Sequence, residues 1–181
     1  MKREHKIYII IAASATAIAV ALAVYFLYYL PNKKTMGNKK LSAKGAFFIK
    51  LKEGFKSVAY KKSDDKWTIG YGHTLGVTQG MTCTRAEADA WFLQDVAECE
   101  ASVNKQNIKL SQNQFDALVS YAFNIGVGNF EKSTLLDMVK HGASEDEIRQ
   151  WWTTHWIGTK KISVLPGLVT RRAEEADMSF A

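Results

Sequence analysis

Glu53, Thr68 and His73 are the residues of this 181-residue chain whose types and spacing could do chemistry. They lie in two runs, Glu53-Gly54-Phe55-Lys56-Ser57-Val58-Ala59-Tyr60 and Trp67-Thr68-Ile69-Gly70-Tyr71-Gly72-His73-Thr74. The first run places a carboxylic acid at the end of a helix. The second brings a hydroxyl and an imidazole back toward it on the far strand of a hairpin. The negative end of a helix, and an apolar wall such as Phe55 or Trp67, favour the proton-bearing form of a carboxyl. A glutamate that holds its proton is what general-acid chemistry requires. A solvated glutamate on a helix end is the other reading that these residues leave open.

Several elements must hold those residues in place. A helix is expected from near Ser42 to Gly54. After it, β-prone Val58–Tyr60 and Trp67–Tyr71 flank the polar Ser63-Asp64-Asp65-Lys66, the pattern of a small hairpin. Three capping boxes, Thr84-x-x-Glu87, Ser111-x-x-Gln114 and Ser144-x-x-Glu147, each open an apolar periodic run and predict helix starts. In the second, Phe115, Leu118, Val119, Ala122 and Phe123 repeat at helical spacing along one face, the mark of a core helix. Further helices are expected from Ser133 to Lys140 and from Pro166-Gly167 to the end. The sum is a mostly helical α+β domain with one small sheet near its start. Cys83 and Cys99 stand at either side of the Thr84 helix, roughly 24 Å apart along a continuous axis, so they are expected as free packing residues with no bond between them. No second Cys or His stands at metal-ligand spacing, and no metal is expected. Of the tryptophans (67, 91, 151, 152 and 156), most are expected in the core.

The two chemical runs resemble the phage-type lysozymes, muramidases of the bacteriophage endolysin family, whose pattern is Glu, eight residues, Asp, five residues, Thr, continuing into Thr-Ile-Gly-x-Gly-His. Glu53 and Thr68 hold that separation, and Thr68 to His73 match throughout. Phe123-Asn124-Ile125-Gly126, Phe130, Ser133-Thr134-Leu135-Leu136, Pro166-Gly167-Leu168 and Arg171-Arg172 extend the likeness over residues 42–181. The resemblance implies a two-lobed fold with the hairpin in the small lobe and a groove for a glycan strand. It implies inverting cleavage of the β-1,4 bond between N-acetylmuramic acid and N-acetylglucosamine, without cofactor. By position, Glu53 would be the general acid and Thr68 would help hold the attacking water. His73 would brace the hairpin, and Phe123 and Asn124 would line the groove, although Phe123 also completes the apolar face above.

One position departs from the family. Where its second catalytic carboxylate belongs, this chain has Lys62. Two-carboxylate hydrolysis pairs a protonated acid with an ionised group that activates water or steadies an oxocarbenium-like transition state, which an ammonium cannot do. Asp64, on the same face as Lys62 if the strand continues, is the candidate replacement; the alternative is that Asp64 and Asp65 only form the turn.

Residues 8–30 contain no charge and are long enough for a helix to cross a bilayer. The sequence therefore divides into a basic flank (1–7), a transmembrane signal-anchor helix (8–30), a polar linker (31–41) and the lysozyme-like domain (42–181). Ala13, Ala17 and Ala21 form a small-residue row suited to a weak dimer of spans. Net charge is +6, yet the first 44 residues carry +7 and the remainder −1. That distribution excludes a nucleic-acid partner, which needs basic residues massed on the domain itself. Basic residues flanking the span weakly favour a cytoplasmic C-terminus, whereas a wall-degrading activity requires the domain in the periplasm. The expected whole is an endolysin on the bacterial inner membrane, its Ala-rich span able to leave the bilayer, acting on peptidoglycan. The alternative is an anchored peptidoglycan-binding module that lost turnover with the Lys62 exchange.

Overall fold

A computed structural model describes residues 38–61, 65–155 and 165–181. The expected span at 8–30, its Ala13/Ala17/Ala21 row, Lys62, Asp64 and Trp156 lie outside the described residues. The described elements run α1 (Ala43–Glu53), β1 (Lys56–Lys61), β2 (Trp67–Gly70), α2 (Arg85–Lys105), α3 (Gln112–Ile125), α4 (Val127–Phe130), α5 (Thr134–Lys140), α6 (Glu145–Thr154) and α7 (Pro166–Ser179).

Local signals set most of the boundaries. Ser42 caps α1 by accepting from the Gly45 amide, and Gly54, at φ 68°, turns the chain out of the helix immediately after Glu53. All three capping boxes form, at Thr84, Ser111 and Ser144, each with its side chain and backbone bonds reciprocated. The hairpin is antiparallel, with Tyr60 opposite Thr68 and Lys61 opposite Trp67, and a bulge lies between Lys56 and Tyr60. Lys39 and Leu41, which the sequence assigns to the linker, are tied to α2: the Lys39 and Leu41 amides donate to Asn104 Oδ1 (3.0 Å) and Glu100 Oε1 (2.7 Å).

Among the described residues there are two cores. A small one gathers Ile69, Val77, Cys83 and Ala88 under the hairpin. The larger takes Ile49, the inner face of α2, nearly all of α3, and Trp152 and Ala176. Helix α2 enters both, through Ala88 at one end and Phe92, Val96, Cys99 and Val103 further on, so it is the strut between the lobes. Cys83, just before this strut, and Cys99, within it, are free and buried in the small and the larger core respectively. Phe123, in the last turn of α3, is half-buried and packs against the larger core, in keeping with the apolar face read from the sequence. One element was not expected. The four-residue α4 has no side-chain cap and too few residues for periodicity, and so gave no signal.

Candidate active site

Between the lobes lies a cleft of about 390 Å³ lined by Glu53, Gly72, Thr74, Asp95, Glu98, Cys99, Phe123, Asn124 and the Gly126–Gly128 turn. Glu53 reaches it because it is the last residue of α1 and Gly54 then bends the strand away. Across from it, Gly72 (φ 103°) presents bare backbone: a Cβ there would stand 3.7 Å from Glu53 Oε2.

The Glu53 carboxyl is held from behind. Arg171 Nη1 donates to Glu53 Oε1 at 2.7 Å, and the two side chains are 5% and 16% exposed. Arg171 also donates from Nε to Glu175 Oε1 at 3.0 Å and from Nη2 to the Ser120 carbonyl at 3.3 Å. Glu175 is fully buried and accepts besides from Arg172 Nη1 (2.6 Å), Ser120 Oγ (2.7 Å) and Trp152 Nε1 (3.3 Å). A carboxylate and two guanidiniums are tolerable at this depth only because nearly every polar atom is bonded. The sequence reading set Glu53 against an apolar wall of Phe55 or Trp67; that expectation is corrected, because the carboxyl is paired with a permanent cation, Arg171, 118 positions away in the chain. That separation is why the pair was missed, although Arg171-Arg172 and Glu175 at helical spacing were the visible sign of a charged helix face.

His73 sits where the hairpin meets α2. It is 7% exposed, its Nδ1 lies 2.9 Å from Asp95 Oδ2, and its ring stacks on Trp91 at 5.1 Å. Its backbone pairs with Ile69 in both directions at 2.9 Å. Those contacts tie the end of β2 to the interlobe helix. Asp95, which sequence reasoning did not single out, is thus engaged by His73. Asn124 lines the cleft and accepts from Arg172 Nη2; Phe123 lines it too, with its ring 5.8 Å from Phe92. Thr68 is fully buried, donates its hydroxyl to the Lys66 carbonyl at 3.4 Å, and is not among the cleft-lining residues. Asp65 has φ 65°, and its carboxylate meets Lys61 Nζ at 3.0 Å with the side chain 89% exposed, the geometry of a turn residue. Glu98 is exposed on the cleft wall. Burial, followed by the nearby Glu98 and Asp95 charges, pushes the Cys99 thiol up to about 12, so it is inert at neutral pH. Among the described residues no group of three or more His, Cys, Asp or Glu could hold a metal ion.

Residues 50–175 match the family model for phage lysozyme, a span that begins before Glu53 and ends at Glu175. The chain belongs to the phage lysozyme family. An endolysin of Acyrthosiphon pisum secondary endosymbiont phage 1 is 38% identical over 140 residues, covering 75% of this chain and 94% of that protein. A SAR-endolysin of Haemophilus phage HP1 is 29% identical over 167 residues, 87% of this chain and 90% of that one. Among solved structures, the muramidase domain of SpmX from Asticaccaulis excentricus superposes with a TM-score of 0.73 at 36% identity, covering 78% of this chain and 98% of the other. The mostly helical architecture with one two-stranded antiparallel sheet is therefore the phage lysozyme fold.

Proposed function

We propose that this chain is a peptidoglycan hydrolase of the endolysin type. In this reading it cleaves the β-1,4 bond between N-acetylmuramic acid and N-acetylglucosamine with inversion, with Glu53 as general acid. The observation that carries it is the division of labour at the Glu53 carboxyl. Oε1 is taken by Arg171, while Oε2 lies on the cleft side beside the bare backbone of Gly72. A proton on Oε2 can pass to the bridging oxygen of a bound glycan. The guanidinium then stabilises the carboxylate left behind and fixes its orientation throughout. Asp64 is assigned the water-activating part, from the hairpin turn. Thr68 is assigned the support of that turn through the Lys66 carbonyl; its full burial away from the cleft lends nothing to the water-holding part that the resemblance implies. His73 positions the hairpin, and Phe123 and Asn124 form the groove floor.

We further infer that residues 8–30 anchor the chain in the host inner membrane, with residues 42–181 in the periplasm and release of the span as the route to lysis. The likeness to the HP1 SAR-endolysin supports this, since it takes in 87% of the chain whereas residues 38–181 make up only about four fifths of it. The aligned region therefore enters the N-terminal segment. Among the described residues no helix is long and apolar enough to cross a membrane, and the span proposed here lies outside them. The Ala13/Ala17/Ala21 row is assigned a weak contact between spans.

Lys62 favours one other reading, an anchored module that binds glycan strands without turnover. A single experiment separates the two. The purified full chain in detergent is mixed with peptidoglycan, and turbidity loss and new reducing ends are followed beside the Glu53→Gln variant. Lysis by the native chain alone supports the hydrolase; retained binding with no reducing ends from either sample leaves the binding module.

A further inference from the structure

Behind the cleft, three large apolar side chains stand in solvent: Phe47 (70% exposed) and Leu51 (63%) on α1, and Leu93 (66%) on α2. Two ties between the segments set their relative direction. The Leu41 amide bonds Glu100 at the start of α1, and Lys50 bridges Asp89 at 2.8 Å near its end, so α1 and α2 run antiparallel. Between those two ties Leu93 stands level with Phe47. At about 100° per residue, Phe47 and Leu51 lie about 120° and 160° around α1 from Glu53, which faces the cleft. Leu93 lies about 160° around α2 from the cleft-lining Asp95. The apolar patch and the cleft therefore look in opposite directions. Exposed large side chains grouped in this way mark a contact surface.

Charge narrows the partner. The acids bordering the patch are each neutralised, Asp89 by Lys50 and Glu100 by Lys40. Lys44, one turn before Phe47, is exposed and has no ion pair among the described residues, so with the two pairs cancelled it leaves the rim one net positive charge beside the apolar centre. That sign complements an anionic lipid surface. Chain length brings such a surface within reach. Pro31 to Ser42, which join the proposed span to α1, extend to about 40 Å at most, so a tethered domain meets its own bilayer at high effective concentration.

We propose that the Phe47/Leu51/Leu93 face docks the folded domain onto the anionic surface of the membrane that holds its span. The apolar side chains enter the headgroup boundary and Lys44 meets lipid phosphates. This rests on the tethered reading given above, and it adds a second, reversible membrane contact made by the folded domain.

The test uses the full chain reconstituted into vesicles, with a protease site introduced between Lys34 and Thr35. Vesicles rich in phosphatidylglycerol are compared with vesicles of phosphatidylcholine. After cutting, the wild-type domain is expected to pellet with the anionic vesicles and to leave them in high salt. The triple variant Phe47→Ser/Leu51→Ser/Leu93→Ser, checked for an unchanged circular dichroism spectrum, is expected to show a partition coefficient lower by roughly tenfold or more. Lys44→Glu is expected to weaken pelleting severalfold while leaving the fold untouched. Equal release of wild type and triple variant would overturn the docking. So would a concentration-dependent dimer of the cut domain that the triple variant abolishes, because the face would then be covered by a second copy. Extraction of the uncut chain by alkaline carbonate would remove the tether itself, an outcome distinct from release that follows only after the cut.

Discussion

On the helical wall of the cleft, Glu53 is gripped by Arg171, itself almost fully buried and bonded to Glu175 and Ser120. At the far end of the hairpin, outside the cleft lining, Lys61 and Asp65 pair in open solvent with the Asp65 side chain 89% exposed. The two arrangements use the same kinds of charge and differ in their surroundings. In the interior, an ion pair completed by further hydrogen bonds is strong and fixes its members, and losing one partner is severe. At the surface, solvent and salt screen the pair until it is worth little. The comparison teaches where each half of the chemistry can be held. On the reading proposed above, the proton donor Glu53 sits on the side stiffened by a buried network. The water-activating part would fall to the hairpin side, where the described ion pair is exposed and a change of charge costs little.

The comparison can be broken most directly at Arg171. Arg171→Met is expected to lower stability by about 3–5 kcal/mol, because Glu175 and Glu53 lose a partner in a low-dielectric interior. Urea unfolding read by tryptophan fluorescence checks this, and a change below about 1 kcal/mol would show that the network does not hold the wall. Next in size is the joint between the walls. His73→Ala is expected to cost about 1–3 kcal/mol through the loss of the Asp95 bond and the Trp91 stack, and to lower activity by loosening the hairpin. Lys62→Asp sharpens the contrast: it is expected to raise the rate of reducing-end release by roughly tenfold, less than the roughly 10²-fold or more of a fully placed general base, with no change in midpoint. A fall in rate would instead assign Lys62 a part of its own. The Lys61→Met change is expected to shift stability by less than about 1 kcal/mol.

Acid provides the smallest effect. The Thr84 amide and hydroxyl bonded to Glu87, and the Ser144 hydroxyl and amide bonded to Glu147, hold both carboxyls below their usual range. A depressed value in the folded state means that stability is present above the unfolded value and is lost as pH falls through the folded one. The midpoint difference between wild type and Glu87→Gln should therefore shrink toward zero below about pH 4. Thermal melts from pH 7 to pH 3 measure it.

What the sequence revealed and what it hid follow the same division. Helix starts were legible because a capping box is a contact between residues three apart, and Thr84, Ser111 and Ser144 form theirs as the spacing predicts, while Ser42 and Ser133 cap the two helices expected to begin there. The hairpin was legible from two β-prone runs around a polar turn. Family resemblance, carried by Glu53 and the Thr68–His73 run, supplied the lobed fold. The partners of those residues were not legible. Arg171 approaches Glu53 only after α7 has packed against α3, and Asp95 is just one of several acids along α2 until folding turns it toward His73. The outward-facing Phe47 and Leu51 were hidden for another reason: α1 is apolar on both its core and its solvent sides, so periodicity could not separate them.

The role given to Glu53 is tested most directly by comparing wild type and Glu53→Gln on two substrates. One is peptidoglycan, whose leaving oxygen needs a proton; the other is a 4-nitrophenyl chitooligosaccharide, whose leaving group needs little help. The account predicts a loss of roughly 10²–10⁴-fold on peptidoglycan and a much smaller loss on the activated substrate. Equal losses on both, or no reducing ends from the native chain on either, would contradict a proton donor at this position.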